Sequence, residues 1–273
     1  MVPEMKPRVI KVSPKLGELG SIHIYGDAEG GPRPFVLAIH GGGWRHGDQT
    51  SFAGLWPRLR HLGVSLVLPT YRKVPEFPFP AAYDDLIWIC LWLARSGNSH
   101  GLDLGRSVLF GSSAGAHLAM MLATRGMGEN VGLPDFRGVV AYCGAYDLLS
   151  QHEFEAANAG KMTLDFLGAM PRENPEIYRL ASPRFHIHAR MPPVWMAHGG
   201  GDRVVHVSQS RLMADALGRG GHEPIYLEAR NVPHTMCESR PDGSLIDPQA
   251  LLFEPDLMRF IQASISDAPP EIG

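Results

Sequence analysis

Five residues carry the sharpest chemical signal in this chain: Gly111-Ser112-Ser113-Ala114-Gly115. They stand between an apolar run, residues 107–110, and an Ala- and Met-rich stretch, residues 114–123. A Gly-x-Ser-x-Gly pattern at a strand-to-helix junction is the signature of a nucleophile elbow. The turn is so tight that side chains at 111 and 115 would collide, and it projects the hydroxyl of Ser113 at the strand end. The helix N-terminus behind it favours developing negative charge. Ser112 lies outside the central position of the pattern. The chemistry implied is acyl transfer, which also needs a base, an acid to orient that base, and donors for an oxyanion.

Each of these has a candidate. His40-Gly41-Gly42-Gly43-Trp44 follows the apolar run 35–39, and its successive glycines let backbone amides turn into a site without side chains intervening. Gly41, Gly42 and Gly43 are therefore candidate oxyanion donors, with the N–H of Ala114 as their partner. Trp44 is placed in the wall of the substrate pocket, and His40 is read as structural. Asp202 follows the apolar run 193–197, and His234 follows the run 223–228. Their order after the serine, acid and then histidine, is the one this architecture uses. His234 would take the Ser113 proton, and Asp202 would fix the tautomer and stabilise the imidazolium. Asp147 is the competing acid, since it also follows a strand-like run, but using it would change the strand order.

These loops need a scaffold. Residues 8–12 and 21–25 alternate apolar with polar, as half-buried antiparallel strands do. Residues 35–39, 64–68, 107–110, 138–142 and 193–197 are continuous apolar runs, the pattern of strands covered on both faces. Helical stretches at 52–62, 81–94, 114–123, 207–218 and 255–264 alternate with them. Asp84 and Asp85 fall in a first helical turn, where the dipole favours carboxylates. The alternation predicts an α/β chain with a mostly parallel sheet and helices on both faces. Residues 148–190 break the rhythm and read as a small cap insertion over the sheet, or else as two ordinary surface helices. The whole chain, residues 1–273, is expected to be one domain.

Composition excludes several classes. Of 273 residues, 44% are hydrophobic and 19% charged, and the formal net charge is −3. Neither disorder nor a basic surface for nucleic acid or anionic membranes fits those values. No apolar run approaches a membrane span, since residues 86–94 cover about half of one, and the N-terminus lacks the apolar core of a signal peptide. The expected location is cytoplasmic. The three cysteines, Cys90, Cys143 and Cys237, are too few and too widely spaced for a disulfide framework. Cys237, three residues after His234, is read as a packed thiol near the site. The pairs His186/His188 and His198/His206 lack a third ligand at convincing spacing, so neither metal nor cofactor is expected.

Taken together, these motifs resemble the α/β-hydrolase superfamily, in its hormone-sensitive-lipase-like and feruloyl-esterase-like (BD-FAE) branches, near the kynurenine formamidases. Residues 71–85 are similar to the block such esterases carry between oxyanion loop and nucleophile. Residues 113–119, 178–183 and 198–210 match their nucleophile helix, the approach to the acid strand and the acid loop, placing Asp202 at the acid position. The resemblance covers roughly residues 35–260. The short stretch before His40 points to the small-cap esterase side. The acid loop departs by reading Gly199-Gly200-Gly201 where relatives carry a polar residue, which would loosen it.

The resemblance implies an α/β-hydrolase fold and a serine carboxylesterase acting on short-chain acyl esters. The first alternative is an amidase-type hydrolase such as an arylformamidase. The second is a non-catalytic ligand-binding protein, disfavoured because His234 is retained. The partner expected is a small-molecule acyl ester or amide. Edge-strand or terminal-helix homodimers are common on such sheets.

Overall fold

The computed structural model describes residues 6–12, 20–26, 31–129, 132–236 and 251–266. Strands β1 (Arg8–Lys11), β2 (Ser21–Tyr25), β3 (Arg33–Ile39), β4 (Ser65–Leu68), β5 (Leu102–Ser112), β6 (Gly138–Tyr142), β7 (Val194–Gly199) and β8 (Ile225–Ala229) form one eight-stranded sheet. Its order is β1-β2-β4-β3-β5-β6-β7-β8. β1 and β2 pair antiparallel with each other, β2 pairs antiparallel with β4, and the pairings from β4 to β8 are parallel.

The apolar runs explain the layers. Along β3, Phe35, Leu37 and Ile39 enter one core cluster while Val36 and Ala38 enter the other. The same alternation holds in β6, where Val139 and Ala141 oppose Val140 and Tyr142. A strand buried on both faces needs helices on both faces. α2 (Ala81–Ser96), α3 (Ala114–Met121) and α7 (Ser208–Arg219) supply residues to the first cluster. α1 (Trp56–His61) and the closing α8 (Glu254–Ile265) supply residues to the second.

Element edges differ from the sequence reading where tertiary contacts decide them. β5 starts at Leu102 because Arg33 of β3 pairs with it. The stretch 52–62 splits into a 3₁₀ turn, Ala53–Leu55, and the short α1, which has Pro57 in its first turn. Asp85 does not serve the α2 dipole: it is buried and bonded to the backbone N–H and guanidinium of Arg72. Between β6 and β7 the chain forms three helices, α4 (Leu148–Ala157), α5 (Met162–Leu167) and α6 (Pro175–Leu180).

From β3 the chain moves outward to β4, then crosses back to place β5 on the other flank of β3. The crevice at such a reversal, beyond the strand C-termini, is where open α/β sheets bind ligands. Ile39 pairs with Gly111 in register, so the loops leaving β3 and β5 emerge level with each other.

Candidate active site

Ser113 occupies the turn between β5 and α3 with φ 55° and ψ −124°, a conformation a non-glycine residue adopts at a cost of about 1–3 kcal/mol. Its N–H is held by the carbonyl of Tyr142 at 2.8 Å. The flanking glycines are required sterically. A Cβ on Gly111 would lie 2.3 Å from the Gly115 carbonyl oxygen, and one on Gly115 would lie 1.9 Å from that of Ile39. The elbow is therefore pressed against the end of β3, beside the His40–Trp44 loop.

That loop turns through three consecutive positive φ values, 106° at Gly42, 59° at Gly43 and 57° at Trp44. The Gly42 carbonyl accepts from the N–H groups of Arg45 and His46, which closes the turn. Gly41 approaches so closely that a Cβ there would lie 2.8 Å from Ser112 O and 3.3 Å from Ser113 Cβ. Opposite it, the N–H of Ala114 belongs to the first turn of α3, whose donors have no carbonyl partner within the helix. His40 is buried, bonded to Thr70 Oγ1 and the Gly41 carbonyl, and burial pulls its pKa down to about 4.

Trp44 departs from its expected place in the pocket wall. It is only 4% exposed, stacked on Phe166 of α5 at 4.3 Å and edge-on to His117 of α3. Its indole N–H donates to His117 Nδ1 at 3.2 Å, and His117 Nε2–H donates to the Ala181 carbonyl at 2.8 Å. Burial lowers the pKa of His117 to about 4, so the ring stays neutral and this chain of bonds persists at neutral pH. The ring's hydrophobic surface is used to anchor the oxyanion loop. Over Gly43 lies instead Met162 of α5, whose Sδ would be 3.1 Å from a Cβ at that position. Arg45 and Asp165 pair across the same seam.

His234 Nε2 lies 2.9 Å from Ser113 Oγ, and His234 Nδ1 lies 2.6 Å from Asp202 Oδ2. The serine hydroxyl thus donates to Nε2, while Nδ1–H donates to the carboxylate. Asp202 has a fully buried side chain. Burial alone would raise its pKa, but hydrogen bonds from His198 and His234 outweigh that and hold the carboxyl well below the usual carboxylate range. Its other oxygen accepts from the N–H groups of Val204 and Val205 at 2.8 and 2.9 Å.

The glycines before Asp202 tighten its loop. A Cβ on Gly199 would strike the Val232 carbonyl oxygen at 2.3 Å, and Gly200 N–H and Gly201 N–H donate to Ala229 O and Val232 O. Acid loop and histidine loop are zipped together by backbone. Asp147 has a different employment. It caps α4 through the N–H groups of Leu149 and Ser150, and it pairs with Arg184 at 2.6 Å.

Two neighbours of Asp202 were not singled out by sequence for this site: His198 and Cys143, whose donor atoms lie with an Asp202 oxygen inside a 4.8 Å group. The Cys143 thiol bonds to the Thr235 carbonyl, and burial together with the Asp202 charge pushes its pKa up to about 12. It is a protonated thiol. Both ring nitrogens of His198 and both oxygens of Asp202 are engaged in hydrogen bonds, so the group offers a cation no free lone-pair set. His186 bonds to the Leu180 carbonyl, His188 to that of Ala123, and His206 to Ser208. Cys237 lies outside the described residues.

An eight-stranded, mostly parallel sheet with helices on both faces and a serine elbow at its switch point defines the α/β-hydrolase fold. Solved structures share it. A truncated carbohydrate esterase from gut microbiota superposes with a TM-score of 0.77 at 17% identity, covering 96% of this chain and 98% of that one. The butyrate-bound esterase Est2 of Thermogutta terrifontis does so with a TM-score of 0.74 at 20% identity, covering 97% and 98%. The BD-FAE family profile matches residues 22–217, and the chain belongs to that family. Esterase LipQ of Mycobacterium tuberculosis is 29% identical over 221 residues, 76% of this chain and 51% of LipQ. The probable carboxylic ester hydrolase LipM of the same organism is 28% identical, over 71% of this chain and 47% of LipM. The chain thus spans about half the length of these curated relatives.

Proposed function

We propose that this protein is a serine carboxylesterase that hydrolyses short-chain acyl esters through an acyl-enzyme on Ser113. The observation that carries the reading is the continuous relay Ser113 Oγ–His234–Asp202, with contacts of 2.9 and 2.6 Å. His234 Nε2 takes the hydroxyl proton as Ser113 Oγ attacks the ester carbonyl, and anionic Asp202 stabilises the imidazolium that forms. The oxyanion develops between the Ala114 N–H and the Gly41–Gly43 amides. Donors aimed at that charge in a site sheltered from water are worth about 3–4 kcal/mol each. His234 then returns the proton to the leaving alcohol, and a water activated by the same nitrogen releases the acid. These side chains and amides complete the cycle without a further group.

The names of LipQ and LipM as esterase and carboxylic ester hydrolase support this reading. Met162 is seated over Gly43, on the cap side of the oxyanion loop. No helix among the described residues is long and apolar enough to cross a membrane. The buried, unpaired Cys90 and Cys143 suit the reducing cytoplasm we infer as its location.

Rates on p-nitrophenyl acetate and butyrate test the proposal. Wild type should turn over both, and Ser113→Ala should fall to background. Equal rates in the two proteins would end the esterase reading. Faster cleavage of a formanilide than of the acetate ester would assign the same machinery to amide substrates.

A further inference from the structure

His198, the last but one residue of β7, is buried two hydrogen bonds from His234. Its Nε2 faces two oxygens that can only accept, Asp202 Oδ2 at 3.1 Å and the Val205 carbonyl at 3.0 Å. Nε2 must therefore carry the proton and share it between them. Nδ1 is hydrogen-bonded to Ser210 Oγ of α7 at 2.7 Å. The ring thus presents its Nε2–H to Asp202 from a fixed position, and its side chain has no exposure to solvent.

This arrangement makes Asp202 Oδ2 a shared acceptor. On one side it receives His234 Nδ1–H at 2.6 Å, and on the other His198 Nε2–H at 3.1 Å. Oδ1 is filled by two backbone donors from its own loop. The loop amides fix Oδ1, but the plane of the carboxylate is set only when Oδ2 is also held from the side away from His234. His198 supplies that hold. Its longer, divided bond withdraws part of the charge from Oδ2 and leaves the larger share to His234.

We propose that His198 is a positioning residue for the Ser113 reaction. Through Nε2–H it orients the Asp202 carboxylate toward His234 and limits its basicity. This rests on the esterase reading above. The charged and titratable groups facing the pair are Cys143 beyond β6, His234, and Glu228 of β8, which is bound to Arg211 of α7.

The test compares His198→Phe with His198→Gln by steady-state kinetics on p-nitrophenyl acetate across pH, beside wild type and Ser113→Ala. Thermal unfolding of each variant verifies folding. Phe removes the donor; Gln keeps an N–H at the corresponding reach. The Phe variant should lose about ten- to a hundredfold in kcat, the scale of a misaligned catalytic group, with KM unchanged because His198 does not meet substrate. Its acid limb in kcat/KM should move to higher pH, since an undivided Asp202 charge stabilises protonated His234. The Gln variant should recover most of kcat and the wild-type limb. If Phe prevents folding, His198→Asn, too short to reach Oδ2, takes its place with the same expectation. A folded donor-less variant with wild-type kcat and limb would overturn the proposal. So would a folded Gln variant as impaired as Phe. Absence of Ser113-dependent turnover in wild type would instead overturn the esterase reading.

Discussion

Gly41→Ala is the smallest perturbation that reaches the proposed oxyanion site. The new methyl would lie 2.8 Å from Ser112 O, a backbone atom that cannot rotate away. Restoring an ordinary contact of about 3.4 Å requires the loop to withdraw by about 0.6 Å. A donor 2.9 Å from the oxyanion would then stand at about 3.5 Å, beyond useful hydrogen-bond range. Losing one such donor costs about 2.7–4 kcal/mol of transition-state stabilisation, a fall of about 10²–10³ in kcat. Ground-state binding does not use the oxyanion position, so KM should change little. Gly54→Ala is the matched control, because a Cβ there meets nothing within 4 Å. Both variants would be assayed on p-nitrophenyl acetate, with thermal unfolding alongside. A Gly41→Ala protein that folds and keeps kcat within about threefold of wild type would refute the assignment of this loop.

Exchanging the two acids gives opposite results. Asp202→Asn should lower kcat by about 10⁴, whereas Asp147→Asn keeps the cap, since Asn caps as well as Asp, and should lower urea stability by about 1 kcal/mol or less through its weakened pair with Arg184 and leave kcat within a few-fold. Reversal of those outcomes would move the acid to Asp147. Trp44→Phe keeps the stack on Phe166 but leaves His117 Nδ1 without its donor, so stability should drop by about 1–3 kcal/mol in denaturant titrations. Stability should also depend on pH through His117, whose pKa is about 4 folded against 6.5 unfolded. Between those values the unfolded chain binds the proton and the folded chain does not. Stability is therefore whole above pH 6.5 and falls toward pH 4 by about 3 kcal/mol from this group, at 1.36 kcal/mol per unit. His117→Gln should flatten that slope, and an unaltered slope would exclude His117 as its source.

Much of the site is legible in sequence because its geometry is imposed by backbone. Gly111 and Gly115 must be glycine to let the elbow touch β3, and Gly42 must be glycine because at its φ of 106° a Cβ would strike the backbone of His46. Such demands leave residue-type signatures at fixed offsets from apolar runs. Strands buried on both faces were legible for a similar reason, since 35–39 and 138–142 must be apolar throughout. The uses of individual polar side chains were harder to read. Asp85 looks like a helix-dipole residue until Arg72 is brought beside it by the fold. Trp44 looks like pocket wall until α5 supplies Phe166 to stack on it. His198 and Cys143 stand just past the runs 193–197 and 138–142, and only the pairing of β6, β7 and the acid loop gathers them around Asp202. The glycines at 199–201 suggest slack, yet their amides bind the neighbouring loop because no side chain keeps it away.

An acyl group carried on Ser113 can be trapped during turnover and located by mass spectrometry. Enzyme mixed with excess p-nitrophenyl acetate and quenched in acid during turnover should gain the mass of one acetyl group, on the peptide containing Ser113. The Ser113→Ala protein should gain none. An adduct on a different residue, or turnover by wild type with equal turnover by Ser113→Ala, would rule out Ser113 as the nucleophile.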